Sequence, residues 1–217
     1  EHRLQTHPLL LTLRNDASYT ETRPHLSMVP AHRASHFVAG TLSGANKVTV
    51  PPYMFTRTKP SPTAQPTTQT APALHAKEGG GAAAAAAAGN TPKTKGQVAQ
   101  TVSLFHLGTT LNGHPGYVHG GLLSVMFDET FARCVAASFP SGVGMTANLS
   151  VDFRKPALPD RVYVLRAETV KVEGRKAWVE GTLTSLPNPD SPAAAGEGEE
   201  GTMVAEARAL FIEPRFA

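Results

Sequence analysis

One stretch of the 217-residue chain, from about His119 to Ser138, has the length and apolar content of a substantial helix, and Pro140 and Gly142 in FPSG close it. Around it stand segments in which apolar and polar residues at least partly alternate. QVAQTVSLFHLG (97–108) comes before it, and GMTANLSVDF (144–153), RVYVLRAETVKV (161–172), KAWVEGTLTSL (176–186) and TMVAEARALFI (202–212) come after. Such alternation predicts half-buried antiparallel strands. EGRK (173–176) is a tight turn around Gly174, and PNPDSPAAAGEGEEG (187–201) is a long acidic loop, so the connections are those of hairpins. One helix against five or six antiparallel strands predicts an α+β fold with the sheet wrapped over the helix.

Upstream, NKVTVPPYMFT (46–56) is also extended, with Pro51 and Pro52 confining it to an edge or a bulge. Residues 57–96 are rich in Pro, Thr, Ala and Gly, with almost nothing large and apolar to offset the entropy of ordering them. They are expected to be a disordered insertion, and the Ala82–Ala88 tract is too short to hold a helix alone. The chain thus divides into an N-terminal extension (1–36), a first-strand region (37–56), the insertion (57–96) and the main domain (97–217). Within the extension, HPLLLTLRNDASY (7–19) reads as a short amphipathic helix.

Charge is uneven. Residues 1–96 hold 10 Lys/Arg against 4 Asp/Glu, residues 97–217 hold 10 against 13, and no acidic residue occurs from Thr22 to Lys77. That bias fits an organelle presequence or an ordinary solvated segment, which leaves mitochondrion and cytoplasm both open. The chain opens on Glu1, not Met, so whether its true N-terminus is present also stays open. No apolar run approaches the roughly 18 residues a membrane span needs, and a soluble protein is expected. No aromatic-basic motif supports nucleic-acid binding. Cys134 is the single cysteine, which excludes intrachain disulfides and Cys-based metal sites. His106, His114 and His119 match no metal-ligand spacing, so neither metal nor cofactor is expected.

On a helical projection, Leu123, Met126, Phe127, Thr130, Phe131, Cys134 and Ala137 share one face, which is the expected buried one. Glu129 and Arg133, four apart on the other side, make an ordinary surface ion pair. Asp128 has no cation within reach on its own helix. At the helix start, Gly120 and Gly121 leave backbone N–H groups uncovered at the positive end of the dipole, where an oxyanion can be held. Asp128 lies eight residues beyond Gly120, about 12 Å along the axis. One helix cannot aim both groups at one carbonyl, whereas two copies related by a two-fold axis can.

NGHPGYVHGGLLSVMFDE, TANLSVDFRKP, KVEGRKAWVEG and AEARALFIEP, in this order, resemble the hotdog-fold thioesterases of the PaaI/THEM4-like branch, fungal members included. The resemblance implies a hotdog fold, a curved antiparallel sheet around one long central helix, assembled as a homodimer or a dimer of dimers. It implies hydrolysis of acyl-CoA thioesters. The Gly120 N–H would polarise the carbonyl, with His119 and Gly121 shaping that turn, and Asp128 of the partner subunit would act as general base or nucleophile. Thr146 would hold or orient the attacking water, and Asn112 would help place the thioester. Arg154, Lys155, Arg175 and Lys176 are candidates for the CoA phosphates, or simply solvated turn residues. The alternative is a non-catalytic acyl-ligand-binding or assembly subunit on the same fold; a hotdog dehydratase is disfavoured, because its Asp and His sit in a different local context.

Overall fold

Among the described residues, seven antiparallel strands form one sheet in the order β1-β2-β3-β7-β8-β9-β6. They are β1 (Thr20–Thr22), β2 (Tyr53–Pro60), β3 (Gln97–Leu107), β6 (Met145–Phe153), β7 (Arg161–Glu173), β8 (Lys176–Ser185) and β9 (Thr202–Ile212). A small hairpin of β4 (Asn112–His114) and β5 (Tyr117–Val118) leads into the helix α5 (Gly120–Val135), which ends in a 3₁₀ turn, Ala136–Ser138. The computed structural model describes residues 1–60, 97–187 and 201–215. The expected insertion lies outside the described residues from residue 61 on, as does the acidic loop from residue 188 to 200. Its first residues, 57–60, belong instead to β2, which pairs along its length with β3 as far as Pro60 opposite Gln97. The two prolines, Pro51 and Pro52, precede the strand, so neither has to give up a ladder hydrogen bond inside it.

The helix lies across the inner face of the sheet. Leu123, Met126, Phe127, Phe131 and Cys134 are buried in one cluster with Phe105, Tyr163, Leu165, Val179, Leu183 and Phe211 from the strands. Thr130 is buried with them, as the helical projection predicts, whereas Ala137 is only partly covered. The fit is closest at Gly181, where an added Cβ would stand 2.4 Å from the Arg166 carbonyl oxygen and 2.7 Å from the Phe131 ring. Only glycine lets Phe131 settle onto β8.

The expectation of half-buried strands fails for β3 and the first half of β7. Phe105 and Leu107 face the helix, yet Val102 and Leu104 are also buried, as are Val164, opposite Leu104, and Val162, opposite His106, on β7. The second face is covered by the N-terminal segment. Its helices α1 (His2–Gln5) and α2 (Pro8–Asn15) sink Leu4, Leu10 and Leu13 into a second cluster with Tyr53, Phe55, Val102, Leu104 and Val164. Of the amphipathic helix read over residues 7–19, the structure forms Pro8–Asn15, and its apolar stripe has a partner. His7 caps α2, its Nδ1 accepting the Leu9 N–H at 3.2 Å.

From there the chain adds β1 to the outer edge beside β2, then passes through α3 (Pro24–Ser27), α4 (Pro30–Ser35) and a π-helical turn, Phe37–Thr41, to reach α5. It wraps the sheet edge from one face to the other. Because Leu10 is fully buried, Leu10→Ala is expected to cost about 2–4 kcal/mol. It should lower the denaturation midpoint of one cooperative transition; a separate early transition for the N-terminal segment, with the main one unmoved, would contradict that packing.

Candidate active site

His119 follows β5 in an extended conformation and caps α5, its Nδ1 accepting the Gly121 N–H at 2.8 Å. A Cβ on Gly121 would lie 3.0 Å from two atoms of that imidazole, so any larger residue here would have to push the capping ring aside. The His119 carbonyl accepts from the N–H groups of Leu122 and Leu123 at 2.9 and 3.4 Å. Gly120 differs from all three: its N–H has no acceptor among the described residues. It sits at the half-exposed start of the helix with the Phe153 ring beside it, 3.2 Å from where its Cβ would be. One uncommitted donor at a helix N-terminus is what a developing oxyanion needs.

Asp128 stands two turns further along. Its Oδ1 accepts a 2.7 Å hydrogen bond from the Thr146 hydroxyl at the start of β6. That proton is therefore committed to the carboxylate, so Thr146 orients Asp128 and can meet a water only through its remaining lone pairs. Helix and strand run in opposite senses, with Gly120 beside Phe153 and Asp128 beside Thr146. Within one copy the two groups remain about 12 Å apart.

Asn112, on β4, turns inward. Its Nδ2 donates to the Thr109 carbonyl at 3.0 Å, and its Oδ1 is buried without a hydrogen-bond partner. The structure thus engages the amide in its own loop. The four basic candidates do not form one cluster. Arg154 and Lys155 follow the Phe153 end of β6, whereas Arg175 and Lys176 occupy the β7–β8 turn, near Ile212 and Met145 at the other end. Those ends are about 27 Å apart along the strand. Arg154 is also ion-paired with Glu206, and Arg175 donates to the Glu213 carbonyl at 3.0 Å.

Glu129 corrects the sequence reading. It does pair with Arg133, at 3.4 Å, but it is not a surface residue. His25 from α3 and His36 from the end of α4 close over it, and its side chain is only 12% exposed. Burial works against the charge on Glu129, but the His25 hydrogen bond and the neighbouring Arg133 outweigh it and hold the carboxyl below the usual Glu range. Sequence reasoning missed both histidines. They lie about a hundred positions from Glu129, in short helices whose residues gave no periodic signal.

Two other histidines, His106 and His114, stand apart from this group. His106 bridges Thr49 Oγ1 (3.0 Å) and Asp160 Oδ1 (3.2 Å), tying the loop before β2 to the start of β7, while His114 is exposed on the small hairpin. A concavity of about 620 Å³ opens on the outer face of the sheet, among Arg57, Arg166, Glu168, Glu180 and Arg208. Asp128 and Gly120 do not line it, so it has no part in the candidate chemistry.

The sheet, the helix it wraps and the capped glycine turn define a hotdog domain, and sequence comparison agrees. A model of the thioesterase superfamily matches residues 115–190. A mouse protein named acyl-coenzyme A thioesterase THEM4 is 39% identical over 114 residues, covering 52% of this chain and 43% of that protein. A UPF0644 protein of Schizosaccharomyces pombe is 28% identical over 218 residues, covering 100% of this chain and 66% of its own. A Candida albicans protein described as uncharacterised and mitochondrial is 32% identical over 117 residues, covering 54% of this chain and 49% of its own. The chain spans between about two fifths and two thirds of these relatives' lengths. Over residues 115–190 the chain is therefore similar to the thioesterase superfamily.

Cys134 takes no part in the site. It is buried on the inner face of α5, its sulfur donating to the Ala99 carbonyl at 3.3 Å, and burial pushes its thiol pKa up despite hydrogen bonding with Thr169. A thiol reagent at pH 8 should label the native protein only on the timescale of unfolding, and denaturant should expose one reactive thiol. Rapid native labelling would place Cys134 in an accessible site and contradict this packing.

Proposed function

We propose that the protein hydrolyses acyl-CoA thioesters as a dimer whose two-fold axis passes through the middle of β6. The observation that carries the proposal is the placement of Gly120 and Asp128 at opposite ends of that strand. Among the described residues, β6 is the outermost strand beside β9 and no strand pairs with its other edge, where Met145 and Phe153 are exposed. An unpaired edge of nine residues is a template for another strand. An antiparallel pairing of β6 with its copy, centred near Leu149, sets Met145 of one chain opposite Phe153 of the other. The Gly120 N–H of one copy then approaches the Asp128–Thr146 pair of its partner. The same rotation brings Lys155 and Lys176 of different copies toward one site, where CoA phosphates would lie.

The chemistry needs few groups. The thioester oxygen accepts from the Gly120 N–H. Asp128 of the partner subunit, held through Oδ1 by Thr146, takes a proton from water through Oδ2 as that water attacks the carbonyl carbon. Negative charge builds on the oxygen, where the N–H and the helix dipole stabilise it. The C–S bond then breaks, the thiolate of CoA departs and takes up a proton, and the free acid remains. A thiol of pKa near 8.5 is a far better leaving group than an alcohol, so no Ser–His–Asp triad is required. Attack by the carboxylate itself, through an anhydride, uses the same residues. A mitochondrial location is part of the proposal, supported by the basic N-terminal half and by the Candida relative, which is described as mitochondrial. Among the described residues, no helix is long and apolar enough to cross a membrane.

Thiol release from a panel of short, medium and long acyl-CoAs tests this. The native protein should turn over at least one of them. Asp128→Asn should lose at least about a hundredfold in kcat, and Thr146→Val roughly tenfold, with the dimer intact. Binding of an acyl-CoA without turnover by any variant would return the assignment to a non-catalytic acyl-binding subunit.

A further inference from the structure

Three side chains that the proposed reaction does not use converge where the N-terminal segment meets α5. Glu129 follows Asp128 in sequence but points about 100° further round the helix. His25 Nε2 lies 3.2 Å from its Oε1, and His36 Nε2 lies 3.6 Å from its Oε2. One donor atom from each residue falls within 4.8 Å of the others, and the two imidazole centroids are 5.6 Å apart. We propose that His25, His36 and Glu129 bind a zinc ion that staples the N-terminal segment to the central helix, water completing the coordination on the more open His36 side.

The spacing supports this. Zinc held tetrahedrally by nitrogen and oxygen at about 2.0–2.1 Å keeps its donor atoms about 3.3–3.4 Å apart. The His25 Nε2–Oε1 and His36 Nε2–Oε2 distances, 3.2 and 3.6 Å, lie on either side of that value, each to a different oxygen of the Glu129 carboxylate, so ligation requires the carboxylate to turn one oxygen between the imidazoles or to bind through both. As direct contacts they are poorer: 3.6 Å is beyond a hydrogen bond, and 3.2 Å is at the long end for a charge-assisted one. The donor set narrows the ion to the imidazole-binding transition metals, zinc among them. Two imidazoles and one carboxylate suit zinc, whereas calcium and magnesium prefer oxygen throughout.

The surroundings show why a staple is useful. Between Pro24 and Thr41 the chain buries few apolar groups; α4 buries none, and the anchors are Pro24, Val38 and Ala39. Yet His25 is only 2% exposed. An imidazole placed so deep, with so little apolar gain around it, needs a strong partner.

Two neighbours must adjust. Arg133, 3.4 Å from Glu129 Oε1, competes for the same oxygen, and its side chain is 39% exposed and free to swing outward. The Nδ1 of His36 now accepts the Ala39 N–H at 3.1 Å, so its proton sits on Nε2. Ligation through Nε2 moves that proton to Nδ1 and releases the cap, a tautomer change without net proton release.

Titration of the chelator-treated full-length protein with zinc alone, followed by calorimetry and by competition with a chromophoric zinc indicator, tests the site. One zinc per chain is expected, with a rise in Tm. His36→Gln should weaken binding by at least about a hundredfold and abolish the Tm shift. His25→Gln should do the same, and because His25 is buried, the more exposed His36 variant keeps the test valid if the other fails to fold. Arg133→Ala should tighten zinc binding, since it removes the competing cation; a simple ion-pair clasp predicts no zinc response at all. His106→Gln, in a separate cluster, should bind zinc as the native protein does. Absence of zinc binding, or binding that His36→Gln leaves unchanged, overturns the proposal. Neither result bears on thioester hydrolysis, which uses other residues.

Discussion

Gly120 and Asp128 are fixed eight residues apart on one helix, and the helix cannot bend to bring them together. This rigid separation of about 12 Å governs the functional account. The oxyanion donor belongs at the N-terminus, because only the first turn leaves an N–H unpaired; the base belongs two turns later, where β6 offers Thr146 to orient it. A second copy, turned about an axis through β6, solves the problem without moving either group. The exposed edge of β6 is then the other half of the site.

That arrangement depends on α5 being held in one register against the sheet. Phe131 over Gly181, and Phe127 and Met126 in the same cluster, fix the rotation of the helix about its axis, so Asp128 falls beside Thr146 while Glu129 points to the opposite rim. The N-terminal segment then fixes that rim. It buries leucines on the outer face of β3 and β7 and crosses the sheet edge to set two histidines over Glu129. Consecutive carboxylates on one helix thus have different fates, one turned toward the β6 edge and the other enclosed.

Much of this was legible in the sequence, because local patterns state it. The apolar run behind HGG specifies a helix and its buried face, and alternation with turns at Gly174 specifies hairpins. The motif resemblance supplied the fold. What escaped is what alternation cannot express. Val102, Leu104, Val162 and Val164 occupy positions that should face solvent, and their burial follows only once α1 and α2 are known to lie over them. Glu129 looked satisfied by Arg133 at i+4, which hid its contacts with His25 and His36 far away in the chain. The four basic residues likewise looked like one set, until strand register placed them at two ends of the sheet.

The claim that each site is built from two chains is tested most directly by mixing two inactive proteins. Asp128→Asn removes the base. Gly120→Pro removes the N–H at the first helical position, where proline is compatible with a helix. Each alone should be inactive toward an acyl-CoA that the native protein hydrolyses. Unfolded and refolded together, with heterodimers confirmed by native mass spectrometry, they should regain about a quarter of native activity, because half the dimers then carry one intact site out of two. Heterodimers that form but stay as inactive as either parent would contradict a shared site and return both groups to a single chain.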